Sequence, residues 1–575
     1  MKWNLDDIVK IENWERLFAE VKVNFEIYKK MIAKPDPNMS AEKFKKIIDF
    51  GEELENKTSR LGGLPKLILA VDTKNQKARL MMTKVQDFGL EMAEHTIKFS
   101  HWLKGLGSFA MAGLDEKNAK RLFKSIPDLE YALTYSRKAA KYTLKENEEK
   151  IMMNKDVNLG SALGDLRDLI ATEFRYNVLG KKVETQAELI TYVYSNKAKE
   201  RKAAYEALLT TQKNNIDKFF VMYQGTVKDW GYETRLRGYK SPISVRNFGN
   251  EIDDEVIETL LEVTKNNKEI FYKYFQAKAK KLGEKKLNRM DLYAPVEIVN
   301  KNMKYEEGVK IVLDTFEEFS PRFTAAAKRI IEKQHVDVYP GPNKTSGAFC
   351  ATLNNKIDPY VMLNWTGKAR DIATLAHELG HGVHSIYANK HYSSVQSANL
   401  PLAETASTLG EMLIFEKFKK EMLWDKIADM YATILRQNYF VMFEIEAHKA
   451  ITRGVTENEL SQLYFDNLKD QFGKTVEVPD LFRYEWSYIS HIFESPFYCY
   501  AYNFGELLTL SLYKHYKNDK IEGRKIIESI LEAGGCENPK LLLNKFGIDI
   551  KSPNFWQNSF DMIDELVEEL ANSVK

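Results

Sequence analysis

The sequence predicts a large, mainly α-helical protein carrying one small β-hairpin. Three observations support that reading. Apolar residues recur every three to four positions over long segments such as 39–60, 74–105 and 196–230, with Glu, Lys and Ala between them. Pro is scarce, 15 in 575 residues, and confined to a few places. The stretch at about 338–366 breaks the helical pattern: VYPGPNKTSGAFCATLNNKIDPYVMLNWTG sets Gly, Pro and Asn around two strand-like runs, 347–353 and 360–365. The runs predict a hairpin just ahead of the strongest motif in the chain.

A chain of 575 residues exceeds one hydrophobic core, so at least two subdomains are expected. The helical pattern restarts after Gly180, which places the expected break near 178–200. That gives an N-terminal helical lobe, 1–195, and a second part, 196–575, that holds the motif below. With 44% hydrophobic and 29% charged residues the chain is of the folded class. Its 84 basic against 82 acidic side chains call for neither nucleic acid nor an anionic membrane as partner. Three scattered cysteines, Cys350, Cys499 and Cys536, offer no disulfide framework and no thiolate metal spacing, so a reducing cytoplasm is expected. The N-terminal MKWNLDDIVKIENWERLF has no apolar core of a secretory signal, and no stretch approaches the length of a membrane span.

The motif is His377-Glu378-Leu379-Gly380-His381 within DIATLAHELGHGVHSIY. Residues four apart on a helix share a face, so both imidazoles can reach one cation. Zinc suits imidazole nitrogen, and a catalytic zinc takes three protein ligands and keeps one position open. Glu378 then stands beside that position and can take a proton from water as general base. Ile372, Leu375, Leu379, Val383 and Ile386 give the helix an apolar face, which predicts burial, and buried imidazoles need partners. Gly380 and Gly382 weaken a helix, which makes sense where something packs closely against it.

The third ligand must come from elsewhere. A metzincin would carry Gly at 384 and His at 387, but the chain has His384 and Tyr387 there. Downstream, Asn399-Leu400-Pro401 reads as a helix start and leads into LAETASTLGEML. Glu404 and Glu411, seven apart, share a helix face, and Ala403, Ala406 and Ser407 are small enough for close approach. Glu404 is the expected ligand, and Glu411 is expected to bond a ligand histidine from outside the metal shell.

HELGHGVH (377–384) followed by LAETASTLGEML (402–413) resembles the thimet oligopeptidase family of zinc peptidases, specifically its oligoendopeptidase F branch. KAAYEALL (202–209), RLRGYKS (235–241), MDLYAP (290–295), SGAFC (346–350) and PYVMLNW (359–365) occur in the family's order, so the resemblance covers residues from about 120 to 570. It implies a two-lobed helical fold with a deep central channel, one zinc per chain on its floor, and short unstructured oligopeptides as substrates. The strand at 347–353 would pair with substrate backbone, with Gly347 and Ala348 beside it, and His384 would face substrate or support the ligands. A further family element, a histidine followed by tyrosines that hold the oxyanion, matches WSYISHIFESPFYCYAYNFGELL. There His491 and Tyr502 fit best, but IFESPF replaces the family's glycine-rich spacer, so Tyr498 or Tyr500 can take the tyrosine's place. The expected activity is internal cleavage of oligopeptides. The competing readings are an exopeptidase trimming dipeptides and a peptide-binding protein without chemistry.

Overall fold

The computed structural model describes residues 2–107, 111–296 and 303–574. Helices dominate throughout, and the described strands form three sheets of two or three short strands. No described helix is long and apolar enough to cross a membrane. The three cysteines are free thiols.

Two compact units emerge, each assembled from separated stretches of chain. The first comprises Met1–Asn154, Asn300–Lys417 and His515–Gly547; the second comprises Lys155–Val299, Phe418–Lys514 and Ile548–Lys575. Gly180, beside the break expected from sequence, lies inside the second unit. With Leu179 it forms the turn of the hairpin Tyr176–Val178/Lys181–Val183, both residues at positive φ (53° and 83°), the geometry that matches strand twist in a two-residue loop.

In the first unit, α1 (Trp14–Ile32), α2 (Ala41–Val71) and α3 (Gln76–Leu103) pack together in sequence. Ser40 and Asn75 cap α2 and α3 through their side-chain oxygens. Their shared core of Trp14, Phe18, Phe25, Leu61, Leu64 and Phe88 is continuous with Tyr360 and Met362 of a three-stranded sheet. After α4 (Tyr305–Phe319) and α5 (Pro321–Glu332), that sheet runs in the order β1 (Val336–Asp337), β3 (Tyr360–Met362), β2 (Phe349–Ala351). The expected hairpin is β2 against β3, antiparallel, with Phe349 opposite Met362 and Ala351 opposite Tyr360. Within this sheet the strand absent from the sequence reading is β1, only two residues long and parallel to β3; the two-stranded sheets Tyr176–Val178 with Lys181–Val183 and Leu287–Asn288 with Val476–Glu477 also lie beyond the one hairpin expected. β2 is therefore an edge strand.

Onto this sheet packs α6 (Ala369–Tyr387), which carries the motif. Its start is fixed by Asp371, whose carboxylate accepts from the amides of Thr366 and Lys368. Ile372, Leu375, Leu379 and Val383 are all buried, and Ile386 partly so. Each such apolar side chain removed from water is worth about 1.5–3 kcal/mol. The next long helix, α7 (Thr405–Lys417), lies directly against α6. A Cβ built on Gly380 would stand 2.4 Å from the Ala406 carbonyl oxygen and 2.7 Å from the Ser407 Cα, and one on Gly410 would stand 2.6 Å from the Ala376 carbonyl oxygen. Backbone touches backbone at both crossings, so the close approach expected from the small residues of both segments is realised by two glycines.

Candidate active site

The α6–α7 contact brings the motif's polar residues together. His377 Nε2 and His381 Nε2 face each other at 3.2 Å, and Glu404 Oε2 lies 3.6 Å from the first and 3.4 Å from the second. Ligand atoms bound to one tetrahedral zinc at about 2.0–2.1 Å are separated by about 3.3 Å. The three donor atoms therefore already sit at the corners a small tetrahedral cation requires, and the residues fit that ion. Glu404 is not within a regular helix. It is the joint between the single turn Leu400–Ala403 and α7, and Ser407 Oγ donates to its Oε2 at 2.8 Å. Sequence reading passed over Ser407 except for its size; its position three residues after Glu404, one turn on, was the available signal.

On the other side of the His377 ring, Nδ1 lies 2.6 Å from Glu411 Oε1. That bond fixes the tautomer and leaves Nε2 directed at Glu404 and His381. Burial alone would depress His377, but the Glu411 hydrogen bond and the charges of Glu411, Glu378 and Glu404 raise it to about 9. His381 is held below the ordinary histidine range by burial. A metal ion held through His377 Nε2 would therefore have to displace a proton there below about pH 9. Affinity for zinc is expected to rise with pH toward 9 by about tenfold per unit, with one proton released per ion bound. Chelator competition at several pH values measures it, and a flat profile from pH 6 to 9 would contradict the His377 assignment.

Glu378 is 6% exposed and lines a cavity of about 340 Å³ together with His377, His381, His384 and the β2 residues Phe349 and Cys350. Burial, and to a lesser degree Glu404 and Glu411, raise its carboxyl to about 7 against the pull of His377. A carboxyl poised there can both accept and release a proton near neutral pH. Ala348 also lines this cavity. Gly347, at φ +82°, precedes it, and its carbonyl accepts from Asn364 Nδ2 at 2.8 Å. His384 Nε2 is buried without a hydrogen-bond partner, and burial, with His381 nearby, lowers the ring to about 4. It is a neutral imidazole on the cavity wall.

The remaining sequence-predicted residues form a cluster within the second unit. His491 Nε2 lies 3.3 Å from Tyr502 Oη, and the rings of His491, Tyr498 and Tyr502 stand 5.3–5.8 Å apart, all half-buried. Burial, then Arg436 and Arg167, keep His491 below its usual range. Tyr500 is separate: it is fully buried and its hydroxyl accepts from Asn250 Nδ2 at 2.7 Å. Sequence reading also missed what holds this segment. Phe497, immediately before Tyr498, sits in the left-handed region (φ 59°), its amide donates to buried Glu444 at 2.8 Å, and the Pro496 carbonyl accepts from Arg246.

A mainly helical fold with two helix-borne imidazoles and a carboxylate converging on one point, beside a buried glutamate, is that of a metallopeptidase. The profile of Peptidase family M3 matches residues 191–562, well over half of the chain. The chain belongs to peptidase family M3, and a metal ion is the cofactor the family implies. It is 26% identical over 534 residues to the group B oligopeptidase PepB of Streptococcus agalactiae, covering 89% of this chain and 88% of that one. It is 24% identical to the oligopeptidase PepF of Bacillus subtilis, covering 99% and 86%. Among solved structures, a Chlamydophila abortus protein superposes with a TM-score of 0.83 at 23% identity, covering 100% of this chain and 98% of that one. Oligoendopeptidase-F of Enterococcus faecium gives 0.72 at 19%, covering 97% and 98%. At these identities the structural matches establish the fold.

Proposed function

We propose that this M3 peptidase is a zinc-dependent oligoendopeptidase that hydrolyses internal bonds of short unstructured peptides, in the cytoplasm. The observation that carries the reading is the set of three donor atoms 3.2–3.6 Å apart with Glu378 beside them on the cavity wall. His377, His381 and Glu404 would hold one zinc, which when bound supplies a Lewis acid for the scissile carbonyl and for water. Glu378 takes the proton from the attacking water on its carboxylate and delivers it to the departing amine nitrogen. Glu411 holds the proton on His377 Nδ1, and Ser407 orients Glu404. Edge strand β2, whose residues line the same cavity, supports a substrate that binds as an added strand, read through its backbone. His384 offers its unpartnered ring nitrogen to that substrate.

His491 and the tyrosines of its cluster supply hydrogen bonds to the oxyanion, a role drawn from the family resemblance. Tyr502→Phe is then expected to lower kcat about 10²–10³-fold, the loss typical of one oxyanion donor, while Tyr500→Phe stays close to wild type. Equal losses in the two variants would refute the assignment. The reading as a whole is tested by mass spectrometry of a peptide pool incubated with the zinc-loaded protein. Internal cuts are expected. Trimming at a fixed distance from one end would make it an exopeptidase, and binding without cleavage a peptide carrier.

A further inference from the structure

The second unit contains a larger cavity, of about 740 Å³, that the peptidase chemistry does not use. Its walls are apolar, from Pro242, Ile257, Leu261, Ile445 and Phe497. Its inner end is not. His448 is 3% exposed and neither ring nitrogen has a hydrogen-bond partner; Asn247 is 2% exposed and its Oδ1 has none either. Burial holds the His448 imidazole neutral, near 3, so it presents one donor and one acceptor. Such buried polar atoms lose free energy unless something in the cavity bonds them. Toward solvent the lining carries exposed Arg235, Lys240, Lys449 and Arg453 against two carboxylates. Of those, Asp254 already accepts from Ser244 and Asn247, while Arg235, Lys240 and Arg453 have no ion-pair partner among the described residues.

We propose that this cavity is a binding site for an organic acid whose carboxylate meets the rim cations, whose body is apolar, and whose far end carries a hydroxyl or amide for His448 and Asn247. Each part of the ligand answers a part of the wall. Cationic molecules are disfavoured by the rim, and purely apolar ones leave the inner polar atoms unbonded. Phe497, whose ring lies 4.7 Å from that of His448, forms part of the wall, so the occupant touches the residue next to Tyr498.

The test uses full-length zinc-loaded protein and 3-(4-hydroxyphenyl)propionate, titrated by calorimetry and followed by the ring ¹⁵N signals of His448. Saturable binding that moves those signals is expected. 3-Phenylpropionate, lacking the hydroxyl, and tyramine, with an amine for the carboxylate, should each bind at least about tenfold more weakly. So should His448→Phe and, as a surface variant with no cost to the core, Arg453→Glu. Binding should be unchanged in Glu378→Gln, which separates this site from the peptidase reading. No binding leaves the cavity to water alone and overturns the proposal. So does equal affinity for tyramine, or affinity unaffected by either variant.

Discussion

Replacing Glu378 by Gln is expected to lower kcat about 10²–10⁴-fold while zinc remains bound in a one-to-one ratio. The carboxamide has nearly the shape of the carboxylate, and Glu378 is not among the three residues whose donor atoms converge at 3.2–3.6 Å. What is removed is the capacity to take a proton. The carboxyl is raised to about 7 by burial first, with Glu404 and Glu411 adding to it. A native Glu whose pKa is raised stabilises the fold fully below its unfolded value near 4.5, and that contribution is lost as pH rises through 7. In the metal-free protein, Glu378→Gln should therefore unfold at nearly the same temperature as wild type at pH 4.5 and at a higher one at pH 8. A loss of kcat with zinc retained, together with that gain in melting temperature at pH 8 alone, would mark Glu378 as a proton carrier held at a cost to stability. A variant within about twofold of wild-type kcat would remove it from the mechanism.

The first part of this candidate site was legible because His377, Glu378 and His381 lie on one helix. Spacing alone put His377 and His381 on a shared face, and the glycines between and after them announced a close neighbour. For Glu404 and Glu411 the seven-residue spacing suggested one continuous helix, whereas Glu404 stands at a joint before α7. The two carboxylates consequently meet His377 on opposite nitrogens, an arrangement that depends on a local break no propensity marks. Local pattern could not sort the tyrosines: Tyr498 lies in the turn that precedes the helix Tyr500–Asn518, so helical periodicity does not relate it to Tyr500 and Tyr502. The division into units was not legible. Each unit is built from three separated stretches, and local pattern carries no information about which distant segments share a core. β1 was missed for a simpler reason, since two residues are too few to show alternation.

Gly380→Ala and Gly410→Ala are each expected to destabilise the protein by about 1–3 kcal/mol and to weaken zinc binding by about 10–100-fold. Helix propensity argues the opposite, since Ala gains about 1 kcal/mol over Gly inside a helix. Packing decides the sign here. The new methyl at 380 would lie 2.4 Å from the Ala406 carbonyl oxygen, and the one at 410 would lie 2.6 Å from that of Ala376. Neither obstacle is a side chain that can rotate away, so α6 and α7 must separate. That shift acts on the metal because α7 carries Ser407 and Glu411, which orient Glu404 and His377 on facing elements. Gly89, in α3, has nothing beyond its chain neighbours and its own helix backbone within 4 Å of its built Cβ and serves as the control. Gly89→Ala should be neutral or stabilise by up to about 1 kcal/mol, with zinc affinity unchanged. Melting temperature and chelator competition on the three variants separate the contributions. If Gly380→Ala behaved like Gly89→Ala, the backbone contact between α6 and α7 would not be what holds the ligands in place.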